Sequence, residues 1–159
     1  MNDVLRIPSV ELYEFFQTPE ADGIEYPVLV NGTSMQPMLS HLRDTVWLTR
    51  LKGPPRRGSV LLFRRENGQV VMHRVLRVKG DSLKMNGDGQ VFTEWIPKTK
   101  CVAVVAHFTH RGRDISCQAP FYRLCVCLWM AMRPLRPRLF HLHGIWKRFW
   151  KRGTPCGKS

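Results

Sequence analysis

Between residues 26 and 108, short apolar runs alternate with clusters of turn-forming residues, and no other feature constrains the fold as much. Residues 26–30, 45–49, 59–63, 70–78, 82–85 and 101–108 read as strands, rich in β-branched and aromatic side chains. Asn31-Gly32, the proline-containing segment 52–58, Glu66-Asn67-Gly68-Gln69 and Lys79-Gly80-Asp81 supply the intervening turns. Strands this short and this regularly punctuated predict a mainly β domain, a barrel or sandwich. Ahead of them, residues 8–17 predict a short amphipathic helix, with Pro8 in its first turn and Val10, Tyr13 and Phe16 or Gln17 at helical spacing.

The chain has 159 residues, 43% of them hydrophobic, which fits one domain with a real core and excludes a disordered chain. Its net charge of +13 is unevenly spread. Residues 1–110 carry 14 basic and 11 acidic side chains, whereas residues 111–159 carry 11 basic ones and a single acid, Asp114. The expected division is therefore a lead-in over 1–23, a β domain over 24–110 and a cationic tail over 111–159.

That tail changes period. Residues 121–132 are apolar nearly all round, and Arg133-Pro134 interrupts them. Further on, Leu139, Leu142, Trp146 and Phe149 recur three or four apart, with Lys147, Arg148, Lys151 and Arg152 mostly on the other side. Tryptophans beside cations on such a helix predict peripheral contact with a membrane surface through Trp146, Lys147, Arg148, Trp150 and Lys151. A helix that packs on a partner protein would read the same way.

No secretory signal is visible near the N-terminus, and the apolar run 124–132 falls short of the roughly 20 residues a spanning helix needs. A cytoplasmic or peripheral membrane location is expected. The five cysteines form no CxxC pair, and His107, His110, His141 and His143 lack a convincing ligand set, so no metal or other cofactor is expected.

Three patches carry potential chemistry: Gly32-Thr33-Ser34-Met35-Gln36-Pro37-Met38-Leu39, Met72-His73-Arg74-Val75 and Asn86-Gly87-Asp88-Gly89. Singly, each is ordinary. A serine in a turn, a histidine on a strand and a Gly-Asp-Gly turn all have structural explanations. Together and in this order they resemble the type I signal peptidase superfamily, which also contains the self-cleaving repressors. Ser34 lies in what looks like the nucleophile box. Arg43-Asp44-Thr45-Val46 resembles the following G-D-x-V, with Arg43 in place of the usual glycine, and 57–63 the second G-D-V-V-x-F strand, with Ser59 in place of the aspartate. His73-Arg74-Val75 is similar to the H-R-V box of the endoplasmic-reticulum, archaeal and sporulation branch, and 86–88 to its G-D box.

The resemblance covers about residues 24–108 and implies a coiled β-barrel or sandwich of the signal peptidase kind, with a short N-terminal helix and basic amphipathic C-terminal helices. It also implies a serine endopeptidase that cleaves a leader or signal peptide from a precursor after small residues. Ser34 would be the nucleophile and His73 the base, with Asp88 orienting the imidazole and Glu94 a second candidate for that role. No lysine lies between Lys52 and Lys79, so the Ser–Lys variant of the family is not matched. The chemistry is sound, since histidine titrates near neutrality and can take the serine proton and return it to the leaving amine. Gly32 stands where many bacterial relatives offer a hydroxyl to the oxyanion, leaving the backbone around Thr33, Ser34 and Met35 to serve. Met35, Met38 and Leu39 could form an apolar lip beside Ser34 or belong to the core.

Two other functions fit the sequence less well. A self-cleaving regulator would need a DNA-binding module, and only 23 residues precede the β domain. A non-enzymatic module could grip nucleic acid or membrane with its basic tail, but the Ser34, His73 and Asp88 boxes would then be coincidental. Nucleic acid is therefore an unlikely partner.

Overall fold

The structure, a computed structural model, describes residues 9–136. Eight antiparallel strands form one curled sheet, a half-barrel: β1 (Tyr26–Leu29), β2 (Thr45–Arg50), β3 (Val60–Arg64), β4 (Val70–Lys79), β5 (Ser82–Asn86), β6 (Glu94–Pro97), β7 (Cys101–His110) and β8 (Arg113–Ser116). They lie in the order β1-β2-β7-β3-β4-β5-β6, with β8 paired to the far half of β7. Register shifts at Trp47/Leu48, Leu62/Phe63 and Val75/Arg77 mark bulges, which bend strands and raise their twist.

The alternation of side chains along β3 explains the layering. Val60 and Leu62 point into a large core, Leu61 and Phe63 into a smaller one on the opposite face, and all four are buried. A strand buried on both faces reads as an unbroken apolar run, as here. The smaller core is closed by Val75, Leu83, Met85 and Ile96, the inward residues of β4, β5 and β6.

Two helices cover the larger core. α1 (Ser9–Gln17) inserts Leu12, Tyr13 and Phe16, and α2 (Pro120–Ala131) inserts Tyr122, Val126 and Met130. The buried face of α1 is thus rotated from the one expected, since Val10 is exposed and Leu12 takes its place. Two strands were not foreseen, the four-residue β6 and β8, and β8 carries the sheet past residue 110. The segment after α2 makes a single 3-10 turn, Arg133–Leu135, at the proline expected to interrupt it. Among the described residues no helix is long and apolar enough to cross a membrane.

The loop between β1 and β2 is pinned at its base by one carboxylate. Val30 N–H donates to the Asp44 carbonyl (2.9 Å) and Leu42 N–H to the Val30 carbonyl (2.8 Å). The Asp44 side chain is fully buried, accepts the Ser40 N–H (2.8 Å) and lies 2.9 Å from His110 Nδ1 on β7. Burial alone would raise the Asp44 pKa, but the bonds from His110, Ser40 and Arg43 outweigh it and hold the carboxyl below its usual range. The loop this fixes carries Ser34.

Phe16 anchors α1, a helix too short to hold itself together in water. Phe16→Ala is expected to destabilise the protein by about 3–5 kcal/mol, measured by urea unfolding. A loss well under 1 kcal/mol would mean that α1 is not part of the cooperative unit.

Candidate active site

Ser34 begins the turn that leaves β1, partly exposed, and a second turn presses against it from behind. The Gly89 N–H donates to the Ser34 carbonyl at 2.8 Å. A Cβ on Gly87 would stand 2.6 Å from that same carbonyl oxygen, and one on Gly89 would stand 2.8 Å from the Thr33 carbonyl oxygen. Both glycines are therefore required by close approach, which distinguishes this Gly-Asp-Gly from an ordinary surface turn. Gly32 is required for another reason. Its φ of 114° is closed to residues with a side chain, so a hydroxyl donor is excluded there by the backbone.

Neighbouring residues settle where the apolar boxes go. Met35 and Leu39 are buried in the larger core, Met38 is half-buried and Thr33 is exposed. Core packing accounts for Leu39, while Met35 is buried in the core and also lines the groove that Ser34 lines.

His73 sits on β4 with only 2% of its surface exposed, its ring edge-on to Phe63 at 5.8 Å between centroids. The ladder pairs Arg74, the neighbour of His73, with Asn86, the neighbour of Gly87, and it is on Gly87 that the Ser34 carbonyl presses. The side chains of His73 and Ser34 are not hydrogen-bonded to one another among the described residues. His73 Nδ1 lies 2.8 Å from Glu94 Oε1. Arg65 in turn donates to both Glu94 oxygens, each at 2.7 Å, from the turn that joins β3 to β4.

This arrangement corrects the expected partner of the imidazole. Asp88 makes no bond to His73; its carboxylate is held by Arg74, with Nε at 2.9 and 3.1 Å and Nη2 at 2.6 Å. Arg74 also donates to the Gly58 carbonyl (2.7 Å) and the Tyr122 hydroxyl (3.3 Å), and both members of the pair are buried. Glu94, the second candidate, makes the contact that was expected of Asp88. Arg74 and Arg65 were not singled out in the sequence, although an arginine amid the apolar residues of β4 signals a buried acidic partner.

The electrostatics separate the two carboxylates. Burial pushes the His73 pKa down and Glu94 only partly offsets this, so the net direction is below the ordinary imidazole value. Burial would raise the Glu94 pKa, but Arg65 and His73 reverse the effect and keep the carboxylate ionised. Burial drives the Cys101 thiol up to about 12 and the Cys117 thiol to about 11, which keeps both protonated. Among the described residues no cluster of His, Cys, Asp or Glu could hold a metal ion.

A groove of about 680 Å³ opens in front of Ser34. One wall is residues 26–32, including the sheet-edge strand β1; another is Val70, Val71 and Met72 of β4. That stretch of β4 pairs only with β3, because β5 begins pairing at Arg74. Two strands thus present unpaired edges to one slot that Ser34 lines and that His73 adjoins in sequence. The tail residues Trp146, Lys147, Arg148, Trp150 and Lys151, expected to touch a membrane, lie outside the described residues. No protein-family model and no curated protein matches the chain.

The two acids are expected to respond differently to substitution. Asp88→Asn leaves the buried Arg74 guanidinium without its counter-charge and should cost about 3–5 kcal/mol of stability. Glu94→Gln, at a partly hydrated carboxylate, should cost about 1–2 kcal/mol. Urea unfolding of both variants checks the order, and the reverse order would make Glu94 the structural acid.

Proposed function

We propose that this protein is a serine endopeptidase of the signal peptidase kind, working through Ser34 and His73. The observation that carries the reading is the buried His73, held at Nδ1 by an Arg65-clamped Glu94. An imidazole fixed in this way is costly to bury and has no packing purpose that an apolar residue would not serve better. The resemblance of the sequence boxes points the same way.

In this mechanism an extended segment of a precursor lies in the groove, adding a strand to the free edges of β1 and β4. Ser34 Oγ attacks the scissile carbonyl while His73 Nε2 takes its proton. Glu94 fixes the Nδ1–H tautomer and stabilises the imidazolium, and Arg65 keeps Glu94 charged. The developing oxyanion meets the Ser34 N–H, which donates to no acceptor among the described residues. His73 then returns the proton to the leaving amine. Water, activated by the same base, hydrolyses the acyl-enzyme. Cleavage after small residues of a leader or signal peptide is what the resemblance implies for specificity.

The test is to incubate the purified protein with precursors that carry a hydrophobic stretch and an Ala-x-Ala site, and to follow products by intact mass. Wild type is expected to cleave, and Ser34→Ala and His73→Ala to have no activity; cleavage surviving in Ser34→Ala would end the assignment. The acidic limb of kcat/KM should lie below the ordinary imidazole value of 6.5, because a depressed pKa keeps His73 neutral into more acid solution. Glu94→Gln should lower kcat about 10²–10⁴-fold. It should also move that limb further down, since Glu94 is what raises the His73 pKa. An unmoved limb would remove Glu94 from the mechanism.

A further inference from the structure

α2 is apolar on two opposite faces. Tyr122, Val126 and Met130 enter the core, while Phe121, Leu124 and Leu128 face away from it, 77%, 56% and 57% exposed. Met132 and Leu135 continue the outer stripe into the 3-10 turn and are exposed as well. Arg133 donates to the Val91 carbonyl (3.4 Å), so the stripe ends against a second exposed apolar pair, Val91 and Phe92, just before Glu94. An apolar row of this length on a folded protein marks a contact surface.

We infer that this stripe docks the protein on an anionic lipid bilayer, with α2 lying in the plane of the interface. Charge decides among the occupants. On one flank of α2 the exposed guanidinium groups of Arg56, Arg57 and Arg123 have no hydrogen-bond or ion-pair partner among the described residues. The loop that carries Arg56 and Arg57 packs on α2, where a Cβ on Gly58 would lie 3.5 Å from Val126 Cγ1. These three line a cavity of about 280 Å³ beside the helix. A second copy seated on the stripe would bring two such flanks together, like charge against like. The chain's own residues 137–159 carry six basic side chains and no acid, so they cannot neutralise it either. Anionic headgroups can, while the stripe enters the acyl boundary. At 12 residues α2 is about 18 Å long, too short to span and suited to lying flat.

The inference is independent of catalysis and is tested on full-length Ser34→Ala protein, by flotation with phosphatidylcholine vesicles and with vesicles containing about one-third phosphatidylglycerol. Binding to the anionic vesicles only, weakened by salt, is expected. On the same background, Leu124→Glu/Leu128→Glu should lose about tenfold or more in partitioning, with the melting temperature unchanged because both side chains are exposed. Phe121→Gln is the milder companion should the double variant fold poorly, and Arg56→Gln/Arg57→Gln/Arg123→Gln should lose the preference for anionic vesicles. Three results would overturn the inference. One is no binding to anionic vesicles. Another is equal binding by the stripe variants, which would assign the contact to the basic tail. The third is a lipid-free dimer by light scattering that the stripe variants abolish, which would make a second copy the occupant.

Discussion

The buried pair of Arg74 and Asp88 gathers four separate parts of the molecule at one point. Arg74 comes from the middle of β4, Asp88 from the turn behind Ser34, Gly58 from the loop before β3, and Tyr122 from α2. Burial works against the guanidinium charge, yet Asp88 prevails and the pKa of Arg74 rises. Two desolvated charges give back little net stability even when well paired. What the pair provides is placement. With Asp88 fixed, Gly87 and Gly89 are fixed, and with them the carbonyl of Ser34.

This clarifies why the site needs two carboxylates and treats them differently. Asp88 is buried, and both of its carboxylate oxygens accept from Arg74. Glu94 stands at the rim, 19% exposed, where it can be ionised at modest cost and still reach His73. Had Asp88 served both groups, protonation of His73 would have weakened the bond that fixes the turn behind Ser34. In the proposed mechanism, separating the roles leaves that framework indifferent to the proton that His73 would gain and lose.

Much of this was legible in the sequence, and the gaps have physical causes. Strands such as β3 and β7 show as apolar runs because both faces, or most of both, are buried. β6 and β8 do not, being short, largely exposed and, for β6, ending in a proline, so their pairing is set by neighbours rather than by their own pattern. The boxes singled out Ser34 and His73 as candidates, but not which acid meets the imidazole. Asp88 and Glu94 lie six residues apart, and only the β5–β6 pairing of Met85 with Glu94 turns the second toward β4. Arg65, in a hairpin turn, looked like any solvated cation. The outer face of α2 was visible as composition, whereas its division into a buried and an exposed row needed the sheet beneath it.

α2 also bears on the candidate site through more than Tyr122. Arg136, buried just beyond it, stacks on Trp129 at 4.5 Å and donates to the Asn86 side chain (2.9 Å) and the Asp88 carbonyl (3.3 Å). Burial lowers its pKa, and its Nε finds no partner among the described residues, so this contact is held at some cost. The turn behind Ser34 is therefore gripped twice from the helix side, by Arg74 with Tyr122 and by Arg136. Any surface that α2 meets with its outer row is thus mechanically continuous with the turn that packs against Ser34. Under the proposed function, a bilayer beneath α2 would set not only where the groove lies relative to a membrane-bound precursor but also how firmly Ser34 is held when the precursor arrives.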